Sequence, residues 1–276
     1  MLRQRVLVAA ALLPLGLAVL WVGGWVFWFV GQGMLLLAAH EYLKLWEHQG
    51  WHPARGASLA GVAALSTALY VWGPDARAWA VLVAWVMLLL AWHVVRYERL
   101  GGQEASAFVA ALGGVVYLGG LGGLLLALRH LPHGWFWMLL ALLTVWSGDS
   151  GAYFVGTAWG RHRMSPRVSP KKTWEGFAGR LVIAPLVAGL WTWLSQRWGW
   201  APPAFSPLMG IATGLYLSLL TPLGDLGQSL FKRQAGVKDS GHLLPGHGGV
   251  FDRMDSWLWA GPLLYGLVRL LFPGLG

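Results

Sequence analysis

Apolar runs of about 20 residues, the length an α-helix needs to cross a bilayer, recur from one end of this chain to the other. They fall near residues 6–22, 24–44, 57–73, 78–95, 106–127, 134–160, 177–196, 205–223 and 256–272, with little polar sequence between them. Soluble domains carry about 25% charged residues, whereas 11% of these 276 residues are charged and 57% are hydrophobic. The pattern predicts an all-α polytopic membrane bundle of about nine transmembrane helices. Its 20 Trp residues fit that setting, because Trp favours the membrane–water boundary. The run at 134–160 is long and is interrupted by WSGDSG, which predicts a bent or broken span. The first run follows Arg3 and Arg5 but has no small-x-small cleavage site before the next apolar run, so it reads as a span and not as a cleaved leader.

Basic residues set the expected orientation. With the N-terminus inside, Lys44, Arg55, Arg96 and Arg99 lie on the cytoplasmic side, as do the loops 161–176 and 232–253, and the C-terminus lies outside. The expected organisation is one multi-span domain over 1–276. Residues 1–130 have no assigned role, and 131–276 form a catalytic half. The net charge of +9, concentrated on one face of a membrane protein, suits anionic lipid head groups or phosphate substrates and not nucleic acid. The chain has no cysteine, so disulfides and thiolate metal sites are excluded.

Against this background the carboxylates are informative, since a charge at or inside the membrane is expensive. Of six Asp, four (Asp225, Asp239, Asp252 and Asp255) fall within one short polar segment, and Asp149 lies in or at the edge of an apolar run, where it needs a partner or a metal. Asp225 is at the inner end of a span, on one helical face with Gln228, Ser229 and Lys232. A solvated helix end with an Asp225–Lys232 pair would explain it without function. Asp252 and Asp255 share a helical turn, and Asp255 with Ser256 could simply cap the last span. Between these Asp residues, PGHGG at 245–249 forms a Gly-rich turn of the kind that can present backbone N–H groups to an anion. Cations and carboxylates around such a turn suit a metal–nucleotide site, because Mg²⁺ is usually held by one or two carboxylates plus substrate phosphates. A second basic cluster, GRHRMSPRVSPKKTWEG at 160–176, offers Ser169, Lys171, Lys172 and Thr173 to phosphate, or serves only to fix topology. His48 and His52 beside Glu47 read as a solvated helix end and not as a zinc site. Glu41 lies near the inner end of an apolar run and receives no role.

The stretch SLFKRQAGVKDSGHLLPGHGGVFDRMD, from Ser229 to Asp255, resembles the signature of phosphatidate cytidylyltransferases: Ser229, Lys232, Arg233, Lys238, Asp239, Gly241, Pro245, His247, Gly248, Gly249, Asp252, Arg253 and Asp255 all match. GDL at 224–226, DSGAY at 149–153 and SPKKTWEGF at 169–177 are also similar to that family, whose members often carry Glu where this chain has Gln228. The resemblance implies an integral membrane enzyme that joins CTP and phosphatidate to give CDP-diacylglycerol and pyrophosphate, with Mg²⁺ and a second cation, K⁺. The expected site is catalytic Asp225, Asp252, Lys238 and Arg253. Ser169, Lys171, Lys172, Ser229, Lys232, Arg233, Asp239, His247, Gly248 and Gly249 are the expected substrate contacts, and Asp225, Asp252, Asp255 and Asp149 the metal ligands. Expected partners are CTP, phosphatidate and membrane lipids, with a homodimer as a further option. Localisation is expected at the inner (plasma) membrane, with the active site facing the cytoplasm. The alternative class is a secondary transporter or channel with Asp149, Asp225 and Asp255 along an ion path, although no internal repeat is evident. The Asp-Gly-x-x-Ala-Arg motif of CDP-alcohol phosphotransferases is absent.

Overall fold

The computed structural model describes residues 13–241 and 248–273. It is almost entirely helical: α1 (Leu13–Val22), α2 (Gly24–Glu47), α3 (Arg55–Trp72), α4 (Ala76–Leu100), α5 (Glu104–Gly114), a π-helical turn (Val115–Gly120), α6 (Leu121–His130), α7 (Gly134–Trp159), α8 (Trp174–Arg197), α9 (Pro207–Gln234), a 3₁₀ turn (Phe251–Arg253) and α10 (Trp257–Leu271). Among the described residues five helices are long and apolar enough to cross a membrane: α4, the continuous helix Glu104–His130, α7, α8 and α9. Five of the nine expected runs meet this criterion among the described residues. The 24–44 and 57–73 runs are helical, but α2 carries His40, Glu41, Lys44 and Glu47 and α3 is rich in small and hydroxyl residues. The last run gives only the 15-residue α10.

α4 shows why lipid must be the solvent. Asp75 starts it, its carboxylate accepting the N–H groups of Arg77 and Ala78 at 2.9 and 3.2 Å, and Gly101 ends it at φ 65°. Between these caps only Ala78, Leu89 and His93 are buried, and Trp79, Val83, Met87, Leu88, Trp92 and Val94 point outward. A helix that apolar and that uncovered is stable only where its surroundings are apolar too.

The chain divides into two compact units, one of residues 1–130 with 231–254 and the other of 131–230 with 255–276. In the first unit, α2, α3, α5, the π turn and α6 pack around Leu35, Leu43, Val62, Leu65, Val115 and Leu118, and the 3₁₀ turn adds Phe251. Gln32 and Ser66 hydrogen-bond within this core at 2.7 Å. Glu104, buried at the start of α5, is met by His93 at 2.6 Å and Arg96 at 3.1 Å.

In the second unit α7 and α8 form the most extensive helix pair. The expected break at WSGDSG does not occur, and α7 runs unbroken from Gly134 to Trp159. A Cβ on Gly148 would come within 3.0 Å of the Arg180 side chain, and one on Gly151 within 2.8 Å of Ile183. These glycines are there to let two helices touch, not to end one. Phe136, Trp137, Phe205, Leu217, Leu258 and Leu264 fill the rest of that core. The basic segment after α7 is a small antiparallel hairpin, β1 (Arg163–Ser165) with β2 (Ser169–Thr173), and not an irregular loop. Glu175 pins it by accepting the N–H of Arg161 and His162 and the His162 Nδ1 contact at 2.5 Å. Thr173 caps α8 through the Gly176 N–H at 3.2 Å.

Candidate active site

Several of the predicted site residues fall into two polar clusters, one in each unit. In the second unit Asp225, on α9, receives Lys172 Nζ of β2 on Oδ2 at 2.6 Å. The helix-end pair with Lys232 is therefore not what is found. Ser229, one turn on, approaches Asp225 Oδ1 at 3.5 Å. Asp149 on α7 pairs with Arg180 of α8, and the other arm of that guanidinium donates to Thr221 Oγ1 at 2.6 Å. Arg180 is 4% exposed, so one buried cation ties α7, α8 and α9 together beside the carboxylates.

Asp255 joins the same cluster. Its carboxylate accepts the Ser256 N–H at 2.6 Å, and Ser256 itself makes no capping bond to α10. Burial, followed by the Asp225 and Asp149 charges, pushes the Asp255 carboxyl above the ordinary carboxylate range, to about 7. Gly224 allows this crowding, since a Cβ there would lie 2.7 Å from the Asp255 carbonyl oxygen and closer still to the Trp259 ring. Lys171 is exposed and Ser169 partly buried on the hairpin.

In the first unit Asp252 is the centre. Its Oδ1 takes Lys232 Nζ at 2.6 Å. Its Oδ2 accepts the Ser240 N–H and hydroxyl, both at 2.9 Å, and the Gly249 N–H at 3.0 Å. Burial raises this carboxyl, but Lys232 and the two N–H groups outweigh it and hold Asp252 below its ordinary value. Gly248 sits at φ +80°, with room for no Cβ against Asp252. Asp225 and Asp252, read together as metal ligands, lie in different units, and each already carries a lysine. Arg233, Lys238, Asp239 and Arg253 are exposed, and His247 lies outside the described residues.

Two participants have no counterpart among the predicted residues. Glu41 of α2 is buried and accepts the Phe251 N–H at 2.8 Å and the Ser240 hydroxyl at 3.1 Å. Arg180 is the other. Both are ionisable residues inside apolar runs.

The donor set can be tested against a cation. Among the described residues no three His, Asp or Glu groups form a ready-made metal cage. Gln228, one turn beyond Asp225 on α9, is 1% exposed, and neither of its amide atoms has a partner among the described residues. The orphaned amide oxygen, Asp255, which makes no ion pair among the described residues, and Asp225, which makes one with Lys172, are hard oxygen donors short of positive charge. They fit a cation that completes its shell with water and substrate phosphates. Asp252 is the more heavily engaged of the signature carboxylates, with four donors on its two oxygens against two on Asp225.

Residues 3–271 match the model of the cytidylyltransferase family, and the chain belongs to that family. Among individual proteins it is similar to the phosphatidate cytidylyltransferase of Pseudomonas aeruginosa, at 36% identity over 97% of both chains. The enzyme of that name from Staphylococcus saprophyticus is 34% identical over 95% of this chain and 97% of its own. The one from Bacillus subtilis is 39% identical over 67% of this chain and 66% of its own. All three carry an enzyme's name and none a transporter's.

Proposed function

We propose that this chain transfers the cytidylyl group of CTP to phosphatidate, giving CDP-diacylglycerol and pyrophosphate for phospholipid synthesis. The observation that carries this reading is near full-length similarity to proteins named for that reaction. A phosphatidate oxygen attacks the α-phosphorus of CTP. The bond to the bridging oxygen breaks, and pyrophosphate leaves with the electron pair. The nucleophile is already anionic near neutral pH, so the reaction needs positioning and charge neutralisation more than a strong base.

Asp225 and Asp255 hold Mg²⁺ in this reading, with Asp149 nearby and Gln228 as a neutral oxygen donor. K⁺ is the second cation. Mg²⁺ bound there would neutralise charge on the triphosphate. Lys172, Lys171 and Ser169 present the hairpin to the lipid phosphate. Lys232, Arg233, Lys238 and Arg253 hold the reacting phosphates, and Asp252 keeps Lys232 in place. Arg180 holds Asp149 and orients the α7–α8 pair. The same reading makes the chain an inner-membrane protein of about nine spans, with residues 161–176 and 232–253 in the cytoplasm, able to form a homodimer. Purified protein in detergent, given cytidine-labelled CTP, phosphatidate and Mg²⁺, should pass the label into the lipid phase. No such transfer, with an active relative run in parallel, would refute the reading.

A further inference from the structure

The first unit contains a cavity of about 480 Å³ walled by the rings of Tyr42, Trp46, Trp51, Tyr117 and Phe231 together with Val116. That size is within the ~300–1,000 Å³ of small-molecule sites. We propose that it holds a fatty acyl chain of the phosphatidate substrate, an assignment that rests on the reaction proposed above.

Three observations point to that occupant. The first is the lining, which is almost wholly carbon. Tyr42, Phe231, Phe251 and Tyr117 contact one another edge-on or tilted, with centroids 5.7–6.4 Å apart. A nucleobase would need hydrogen-bond partners along its edges, and this wall offers few. The second is the mouth. Val109 and Val116, 64% and 45% exposed, line it from the helix Glu104–His130, one of the five able to cross a membrane. The apolar lining thus continues onto the outer face of a helix able to cross a membrane, a setting that suits an acyl chain and not CTP. The third is the back wall. Tyr42 follows Glu41, Phe231 precedes Lys232, and Phe251 precedes Asp252. The aromatic layer and the Lys232–Asp252–Glu41 cluster are therefore built on the same backbone. An apolar chain in the cavity and an anionic head near Lys232 is the arrangement an amphiphile needs. The π-helical turn Val115–Gly120, which supplies Val116 and Tyr117, is a departure from regular helix often found at functional sites.

The test compares dioleoyl and dihexanoyl phosphatidate in mixed micelles at fixed surface dilution. It uses wild type, Val116→Trp, Val109→Trp and, as a control, Leu88→Trp on exposed α4. Each buried methylene contributes about 0.8 kcal/mol, so blocking the cavity should cut the dioleoyl-over-dihexanoyl ratio of kcat/KM by about tenfold or more. It should leave the KM for CTP in place, and Leu88→Trp should keep the wild-type ratio. A phosphatidate bearing a diazirine near its acyl terminus should label the peptide containing Val116 and Tyr117, which reads occupancy without turnover and whether or not a filled variant folds. An unchanged ratio in both mouth variants, a raised KM for CTP, or labelling confined to other peptides would overturn the proposal. If wild type makes no cytidine lipid from either substrate, the parent reaction fails instead, and the labelling still decides whether the cavity takes a chain.

Discussion

The carboxylate of Glu41 accepts the backbone N–H of Phe251 at 2.8 Å, across 210 residues of sequence. The same side chain takes the Ser240 hydroxyl at 3.1 Å, so one buried acid from an N-terminal helix binds on both sides of segment 242–247. Glu41→Ala would leave the buried Phe251 N–H without a partner, at about 1–3 kcal/mol. Turnover should fall well below wild type while far-ultraviolet circular dichroism stays helical. Glu41→Gln, which keeps one acceptor, should recover part of the loss. Wild-type kinetics in Glu41→Ala would show that this contact does not matter to the signature segment.

Arg180 and Asp149 form a pair with one fully buried member and one half-exposed member. Breaking a fully buried pair costs about 3–5 kcal/mol, and the exposure of Asp149 reduces that figure here. Arg180→Met should lower the unfolding midpoint and the activity. Arg180→Met with Asp149→Asn should be more stable than Arg180→Met alone, because no unpaired carboxylate remains. Thermal unfolding in detergent checks the order, and a double variant less stable than the single would contradict the pairing.

The signature from Ser229 to Asp255 was legible because its residue types and spacings are dense; of its charged members Lys232 and Asp252 pair, whereas Arg233, Lys238, Asp239 and Arg253 are exposed. Arg180 was not legible: in GRLVIAP it looks like the last charge of the preceding basic loop, whereas the fold turns it inward to Asp149 and Thr221. Glu41 stood out as an intramembrane acid, but only the fold could supply a partner 210 residues away. The hairpin escaped because its strands have three and five residues, with Pro170 inside one, too short for an alternating pattern. The glycines of WSGDSG suggested a break because sequence shows their flexibility and not the α8 surface packed against them.

Asp255 gives a pH dependence of stability. Its folded carboxyl titrates near 7, above the ordinary value of about 3.9. Between those values the folded state keeps a proton that the unfolded chain releases, so metal-free protein should lose stability as pH rises through this window, by up to about 1.4 kcal/mol per pH unit. Asp255→Asn should flatten that slope. Asp252, held below its ordinary value, stabilises above the ordinary carboxylate range and is lost only in more acid solution, so it adds no slope there. Unfolding midpoints in EDTA from pH 5 to 8 decide it, and an equal slope in the variant would contradict the assignment.

Lys172 contacts Asp225 directly and Lys171 is exposed. If the hairpin grips the lipid phosphate, Lys172→Gln and Lys171→Gln should raise the KM for phosphatidate more than that for CTP. Lys172→Gln should do so the more strongly, by about tenfold, the worth of a charge-assisted hydrogen bond. Lys238→Gln should show the reverse preference or a lower kcat. Separate titration of each substrate reads the difference, and normal kinetics in both hairpin variants would leave that segment a topology signal only.

If Asp225 and Asp255 serve one cation, Asp225→Asn and Asp255→Asn should each remove most turnover and raise the Mg²⁺ needed for what remains. The double variant should be little worse than the poorer single. Independent, additive losses would separate the two residues.

The central claim is the identity of the transferred group. CTP labelled separately in the cytidine and in the γ-phosphate, incubated with purified protein, phosphatidate and Mg²⁺, tests it most directly. The account predicts that the cytidine label enters the lipid phase and that the γ-label stays in water as pyrophosphate, one for one. γ-Label in the lipid, or cytidine label remaining in water while a phosphatidate cytidylyltransferase assayed in parallel transfers it, would contradict it.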